Sequence, residues 1–389
     1  MITIEKSFKG RKFVYENCPL EQIVFFDIET TGFVADKSFV YLIGCCYYQE
    51  NAWKLIQWFA ENPLEEIEIL QAFSEFIGHY SVCIHYNGTT FDIPYITRKC
   101  ILHKQRNPFD GLKNVDLYRI ATSLKSLLHL DSCTQKSVEH ALLIEREDTY
   151  SGGELIQVYA NYVGLAKLEK LQKGTKDIKH MIKTETNAAS METASDFLHI
   201  LLLHNEDDLI GMQALSSLLE YQRMLDGHFR IDSMELTMDD CLCFQLVLEG
   251  SFPVSFRSVQ SSIEVSGKDS ICTLRVPLYE GTLNHYLSDY KNYYYLPYED
   301  TVIHKSIAGS MDKSYRKPAK KEQCYVKKTA LFLPQFELIQ EPVFQPELKS
   351  KILFFECTDE LLQDEAFLHT YTSHILHSVL NIKKKKSRV

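Results

Sequence analysis

The segment IVFFDIET, residues 23–30, constrains the fold of this chain more than any other feature. Apolar, β-preferring residues at 23–26 predict a buried strand, and the Thr-Thr-Gly sequence at 30–32 predicts the turn that ends it. Asp27 and Glu29 are two residues apart, so in a strand both carboxylates project from the same face. Unpaired charges are costly at the end of a buried strand unless a cation or a pair of hydrogen-bond donors compensates them, and this favours a ligand role for the two carboxylates.

Two further segments carry carboxylates in comparable local contexts. Asp92, in HYNGTTFDIPYI, begins a predicted helix directly after a predicted strand. Asp208, in HNEDDL, lies on a long predicted helix four residues after His204, so the two side chains share a face. Asp207 is the alternative to Asp208.

Each of these motifs alone has an ordinary explanation. The pair on the strand can be a solvated strand end, Asp92 can be a helix N-terminal charge, and HNEDD can be a surface patch. Their joint occurrence in this order favours one common site.

The first half of the sequence predicts a mixed α/β layout. Three strand-like runs precede an amphipathic helix that Pro63 opens, and a strand and a second helix follow. These runs lie at 23–28, 38–49, 52–60, 64–80, 81–87 and 90–104.

The middle of the chain predicts more helix. We expect a helix over 116–130 and shorter helices over 139–164, broken by Gly152 and Gly153. The polar segment 173–195 predicts an exposed loop or insertion. Ser195 is the predicted cap of a long helix over 196–225.

Beyond Ile231 the pattern changes to short, aromatic, strand-like runs, which predict a separate, smaller β-rich domain. We therefore expect one domain at 1–230 and another at 231–389, with a C-terminal helix over 359–382 and a basic, solvated tail. Tyrosines at 290–298 precede a basic stretch at 305–328. This pattern fits a surface for single-stranded nucleic acid, or equally a β-core with a solvated basic loop.

Composition excludes several classes of protein. The hydrophobic fraction, 45% of 389 residues, suffices for real cores, and the apolar runs are too short to span a bilayer. We therefore expect a folded cytoplasmic protein without a membrane partner. The 11 cysteines include no C-x-x-C pair. This pattern favours reduced thiols and does not favour a structural zinc site. The formal net charge of −10 does not favour a polyanionic partner. The distribution of charge decides binding more than its total, however, and the basic stretch at 305–328 could still contact a polyanion.

At these motifs the chain resembles the DEDD (DnaQ-like) 3′–5′ exonuclease superfamily, whose ribonuclease H-like fold includes polymerase proofreading domains. FDIETTG is similar to the first motif of that superfamily, YNGTTFDIPY to the second and HNEDDL to the third. The resemblance covers about residues 20–225. The third motif departs from the pattern, because His204 stands four residues before Asp208, where one branch places Tyr. This H-N-x-x-D form resembles a bacterial group of predicted ribonuclease H-like nucleases.

The resemblance implies a two-metal-ion 3′–5′ exonuclease acting on ends of single-stranded DNA or RNA, with no obvious protein partner. Asp27 would bridge two Mg²⁺ or Mn²⁺ ions, Glu29 and Asp208 would complete the first ion, and Asp92 would hold the second. His204 would orient or deprotonate the attacking water. Residues implied at the terminal nucleotide are Thr30, Thr31, Asn87, and Phe91 or Phe33.

Two alternatives remain open at this point. One is a nucleic-acid-binding protein that keeps the fold and has weak or no turnover. The other is an endonuclease or strand-transfer enzyme of the same fold, although the D-x-E pair followed by N-x-x-x-F-D fits exonucleases better.

Overall fold

The computed structural model describes residues 1–174, 193–309 and 311–380. Most of the predicted insertion at 173–195, and the whole basic tail at 383–386, lie outside these described residues. The chain divides into two compact units, Met1–Leu219 and Glu220–Val389. The sequence placed this boundary after residue 230, and the role assigned to each domain stays a prediction.

A six-stranded mixed sheet forms the centre of the first unit. Its strand order is β1-β4-β3-β2-β5-β6, in which β1 to β4 pair antiparallel and β2, β5 and β6 pair parallel. The first buried run is therefore a central strand, with an antiparallel neighbour on one side and a parallel one on the other. The strands are β1 Ile2–Phe8, β2 Ile23–Thr30, β3 Val40–Gln49, β4 Ala52–Phe59, β5 Val82–His85 and β6 Lys113–Asp116.

Helices cover both faces of this sheet. One core packs β2, β3 and β5 against α1 and α2, and a second packs Tyr41, Leu42 and Phe59 against α5 and α6. Phe26 and Ile28 point into the first core, so the alternate residues Asp27 and Glu29 point away from it. The helices are α1 Glu66–Ile77, α2 Asp92–Leu102, α3 Leu117–Leu124, α4 Gln135–Ala141, α5 Gly152–Gly174, α6 Ala194–Leu215 and α7 Leu219–Leu225, the last at the boundary between the units.

Local sequence chemistry explains where several of these helices begin. Asn62 caps a short turn before α1 by accepting a hydrogen bond from the Leu64 N–H, and Pro63 occupies its first position. Thr193 and Asp196 form a reciprocal capping box at the start of α6.

Several predicted boundaries were wrong. Thr193, not Ser195, caps α6, which ends at Leu215 instead of continuing to 225. Gly152 and Gly153 begin α5 instead of breaking a helix, since the helical carbonyls do not yet need their N–H groups in that first turn. The predicted helix over 116–130 extends only over α3.

The second unit is β-rich, as the sequence predicts. It contains a five-stranded antiparallel sheet of order β7-β8-β11-β10-β9 and two three-stranded sheets, β12-β16-β17 and β14-β13-β15. Two helices, α8 Asp359–Gln363 and α9 Glu365–Leu380, follow. The strands are β7 Arg230–Leu236, β8 Cys241–Val247, β9 Phe256–Gln260, β10 Ile263–Lys268, β11 Ile271–Pro277, β12 Tyr279–Tyr286, β13 Tyr293–Leu296, β14 Thr301–His304, β15 Lys317–Pro318, β16 Tyr325–Gln335 and β17 Leu353–Glu356.

The cysteines are all free thiols. Cys45 and Cys46 are buried, and burial raises the pKa of both thiols well above the ordinary value, so they act as packing residues. In the parts of the chain that the structure describes, we find no helix with the length and apolar character needed to cross a membrane.

Candidate metal centre

The sheet topology brings the first three carboxylates to one edge. Strands β2 and β5 run parallel, so both end at the same edge, and Asp92 begins α2 shortly after β5. Glu29 and Asp92 are buried, whereas Asp27 is half-buried. A register irregularity between Glu29 and Thr30 interrupts the pairing of β2 with β3 at this point.

The turn before Asp92 requires its particular residues. Asn87 has a φ of 60°, a conformation that asparagine tolerates better than most residues. A Cβ on Gly88 would lie 2.8 Å from the His85 ring, so only glycine fits there. Asp116, at the end of β6, fixes the turn by accepting a hydrogen bond of 2.9 Å from the Asn87 N–H.

Helix α6 contributes the remaining predicted residues. His204 and Asp208 lie one turn apart on the face directed at β2, and Asn205 donates a 2.8 Å hydrogen bond from Nδ2 to Asp27 Oδ2. Gly44 on β3 permits this close approach, because a Cβ there would lie 2.0 Å from Asn205 Oδ1. Sequence reasoning missed Asn205, although its position beside His204 in HNEDDL was a signal for it.

The acid and base groups of α6 and β2 are close enough to share an ion. His204 Nε2 lies 3.3 Å from Asp208 Oδ2 and 3.6 Å from Glu29 Oε1. One ligand atom from each of these three residues lies within 4.8 Å of the others.

Burial and mutual repulsion oppose ionisation of these carboxyls. Burial, followed by the charges of Asp208 and Asp92, raises the pKa of Asp27 well above its ordinary value. Burial and the charge of Asp27 act in the same direction on the pKa of Glu29. Burial raises the pKa of Asp92 to about 7, despite backbone hydrogen bonds that oppose the shift. A bound cation would reverse this penalty.

Glu29 gives the sharpest test of whether the residues fit a metal ion. The residue is only 7% exposed, and within the described residues its carboxylate accepts no hydrogen bond. The nearest group that can carry a positive charge is His204, at 3.6 Å. A buried carboxylate in this condition is costly without a cation, and oxygen donors of this kind suit Mg²⁺ or Mn²⁺. The donor set therefore fits a divalent ion.

The loop between α4 and α5 supplies two charged residues that sequence reasoning missed. Arg146 donates to Asp208 Oδ1 at 2.7 Å and to the buried Glu139 at 2.8 Å. Asp148 Oδ2 lies 2.7 Å from His204 Nδ1 and accepts a hydrogen bond from Lys136 at 2.9 Å. Burial acts to raise the pKa of Asp148, but Lys136 and the charge of His204 outweigh it and lower that pKa.

Asp207, the alternative to Asp208, is engaged elsewhere. Its Oδ2 accepts hydrogen bonds from the backbone N–H groups of Glu147 and Asp148, at 2.8 and 2.7 Å. Asp207 therefore holds the loop that carries Asp148, while Asp208 lies in the cluster.

A cleft of about 680 Å³ opens onto the carboxylates. Thr30, Asn87 and Phe91 line it, and Phe33, which is 78% exposed, has its ring 6.1 Å from that of Phe91. Thr31 is not among the lining residues, and its N–H is bonded to Phe39 O, at 3.0 Å. The predicted nucleotide contacts thus lie together at the cleft, apart from Thr31.

Comparison with known families supports the fold. A family model, RNase_H_2 of the RNase_H superfamily, matches residues 24–176, less than half of the chain. This match and the mixed sheet flanked by helices give the first unit a ribonuclease H-like fold. The matched segment includes Asp27, Glu29 and Asp92 and ends before α6.

Solved structures with similarity to the chain are distant. The family B DNA polymerase from Pyrobaculum calidifontis has a TM-score of 0.39 and 14% identity, covering 72% of this chain and 37% of that chain. E. coli Exonuclease I in complex with a dT13 oligonucleotide has a TM-score of 0.27 and 14% identity, covering 39% and 41%. Exonuclease I from Methylocaldum szegediense has a TM-score of 0.27 and 13% identity, covering 39% and 45%. The chain therefore spans less than half the length of these proteins. No curated protein matches the sequence.

Proposed function

We propose that this protein is a metal-dependent 3′–5′ exonuclease that hydrolyses phosphodiester bonds at the ends of single-stranded DNA or RNA. The observation that carries the proposal is the group of two buried and two half-buried carboxylates at the edge of the sheet, with Glu29 lacking a hydrogen-bond donor among the described residues. Asp27, Glu29, Asp92 and Asp208 would hold two Mg²⁺ or Mn²⁺ ions. When bound, such ions activate a water and relieve the charge on the leaving 3′-oxygen.

The residues of the chain itself have defined parts in this proposal. Asn205 fixes the Asp27 carboxylate from α6, and Asp116 fixes the turn that carries Asn87. Phe33 and Phe91 offer aromatic faces on which a terminal base can stack at the mouth of the cleft.

The proposed partner is a nucleic acid, and the second unit offers a surface for it. Lys305 Nζ lies 5.5 Å and Arg316 Cζ 4.7 Å from the centre of the Tyr294 ring. Tyr298 and Tyr315 are exposed, with ring centres 5.9 Å apart. Cations and free aromatic faces together suit the phosphates and bases of a single strand.

The test incubates 5′-labelled single- and double-stranded DNA and RNA with Mg²⁺ or Mn²⁺. We expect a ladder of shortening products from single strands, and none from Asp27→Asn, which keeps the volume of the side chain and its contact with Asn205. The matched control is Asp131→Asn, an exposed aspartate that should leave the ladder unchanged. Internal cuts without progressive shortening would contradict the exonuclease mode.

One observation favours a second candidate function. Arg146 already neutralises Asp208, at 2.7 Å, so a cation belonging to the protein occupies one candidate ligand oxygen. A nucleic-acid-binding protein that keeps the fold with weak or no catalysis would have this feature. Undiminished binding of the oligonucleotides, without cleavage in either metal, would favour that candidate.

A further inference from the structure

We propose that His204 is itself a metal ligand, that Asp148 fixes its ring for that role, and that the site therefore prefers a divalent transition-metal ion over Mg²⁺. This inference rests on the metal-dependent chemistry proposed above and goes further by naming a nitrogen ligand and a class of ion.

The orientation of the His204 ring comes from Asp148. A carboxylate can only accept hydrogen bonds, so at 2.7 Å the Nδ1–H of His204 donates to Asp148 Oδ2. This contact keeps the proton on Nδ1 and directs Nε2 at Glu29 and Asp208, so that Nε2 is the nitrogen that can bind an ion.

Asp148 is firmly held in this position. Its side chain is 1% exposed, and its Oδ1 accepts a hydrogen bond from the Tyr150 N–H at 3.0 Å. Lys136, on the cleft side, donates to Oδ2, the same oxygen that faces His204. Asp207 holds the same loop through the backbone N–H of Asp148. A ring fixed by so many contacts is prearranged, which is the role that hydrogen-bonded carboxylates play behind metal-bound histidines.

The spacing of the donors fits a shared ion. Donors bound at about 2.1 Å to one ion lie roughly 3.0–3.4 Å apart, depending on the coordination geometry. His204 Nε2 lies 3.3 Å from Asp208 Oδ2 and 3.6 Å from Glu29 Oε1. The contact with Glu29 is too long for a good hydrogen bond, but close to the separation of two ligands of one ion.

The nitrogen donor changes which ion the site prefers. Sites made only of carboxylate oxygens suit Mg²⁺, whereas imidazole favours first-row transition metals. With Nε2 bound to an ion, its lone pair is no longer available to accept a proton. In this arrangement His204 therefore acts by binding the metal and does not act as the base for the attacking water.

The test uses the full-length protein and Mn²⁺ as an electron paramagnetic resonance probe. Pulsed spectra of the bound Mn²⁺ should show the modulation of a coordinated ¹⁴N nucleus in the wild-type protein. His204→Gln places an amide where Nε2 was and should abolish the imidazole signal. His199→Gln, an exposed histidine on the same helix, is the matched control and should keep it.

Competition with Mg²⁺ gives a second readout. We expect His204→Gln to lower the preference for Mn²⁺ over Mg²⁺ by about tenfold or more. Asp148→Asn should weaken Mn²⁺ binding by about 10- to 100-fold and reduce the ¹⁴N signal, a change that a purely structural role would not produce. Asp148→Asn also replaces the first test if His204→Gln does not fold.

The outcomes separate this inference from the proposed function. Bound Mn²⁺ without ¹⁴N modulation in the wild-type protein, or modulation that survives in His204→Gln, would overturn the histidine ligand and leave the exonuclease proposal standing. If the ion is bound by His204 but the protein cleaves no oligonucleotide, the histidine ligand stands and the exonuclease proposal is contradicted.

Discussion

The two compact units differ in how deeply their charged side chains are buried. In the described parts of the chain, every buried acidic residue except Glu220 lies in the first unit. Charges in the second unit are mostly exposed, as in the pairs Arg275–Asp239 and Arg257–Glu264. Burying an unpaired charge lowers the free energy of unfolding. The buried acids therefore destabilise the first unit unless they are paired, whereas the exposed charges of the second unit have no such effect.

The first unit itself contains two kinds of buried acid. Glu139 is completely buried but is bonded to Arg146 at 2.8 Å, and Glu66 is paired with Lys99. Glu29 has no such partner, and it lies where the cleft opens. A buried acid without an oppositely charged partner is costly, and this is why the metal-ion proposal depends on Glu29 and not on Glu139 or Glu66.

The largest expected effect distinguishes the adjacent aspartates of α6. If Asp208 is a ligand, Asp208→Asn should slow cleavage by about 10³-fold or more, since metal ions supply several kcal/mol of transition-state stabilisation. Asp207→Asn should keep most of the rate and cost about 1 kcal/mol of stability, because it only weakens hydrogen bonds to the loop. Rates measured on one labelled oligonucleotide decide this, and equal losses in both variants would contradict the assignment.

Arg146→Met should give the largest loss of stability. It leaves Glu139 buried and uncompensated, which costs about 3–5 kcal/mol. The matched change in the second unit is Arg275→Met, whose exposed pair with Asp239 should contribute at most about 1 kcal/mol. Urea denaturation of both variants checks the difference, and similar losses would remove the contrast between the units.

Glu29→Gln should increase the stability of the protein, whereas Arg146→Met decreases it. In the absence of metal, removing an unpaired buried charge should stabilise the protein by roughly 1–3 kcal/mol, whereas Glu264→Gln in the second unit should stabilise nothing. Since burial and the charge of Asp27 raise the pKa of folded Glu29 above its ordinary value of 4.5, folding favours the protonated form. The wild-type protein therefore loses stability relative to Glu29→Gln as pH rises above about 4.5. Urea titrations in EDTA across pH measure this, and a gain that shrinks with rising pH would contradict it.

The smallest expected effect concerns the surface of the second unit. Tyr298→Ser and Tyr315→Ser should each weaken the binding of single-stranded oligonucleotides by about 1 kcal/mol or somewhat more. Leu338→Ser, at another exposed apolar position, is the control and should change nothing. Fluorescence anisotropy gives the affinities. Unchanged binding in both tyrosine variants would show that this surface does not bind single-stranded nucleic acid.

Local patterns predicted the central part of the fold. Strand β2 follows from an apolar run, and the positions of Asp92 and Asp208 follow from helix periodicity. The parallel pairing of β2 with β5 then explains why Asp27 and Asp92 meet. The edge strands β1 and β6 were missed, because neither carries a continuous apolar run.

The missing parts of the site depend on contacts between distant residues. Arg146 reaches Asp208 and Asp148 reaches His204 across about sixty positions of sequence, and loop residues show no periodicity that reveals such partners. Asn205 was missed for a related reason, since its bond to Asp27 depends on how closely α6 approaches Gly44.

The proposed role of the carboxylates at the edge of the sheet in the first unit is to hold ions that drive cleavage from a 3′ end. The rate at which a 5′-labelled single strand shortens, as Mn²⁺ is titrated into metal-free protein, tests this role most directly. We expect no shortening in EDTA and a stepwise ladder whose rate rises and saturates with Mn²⁺. Shortening at full rate in EDTA, or none at any Mn²⁺ concentration, would contradict it.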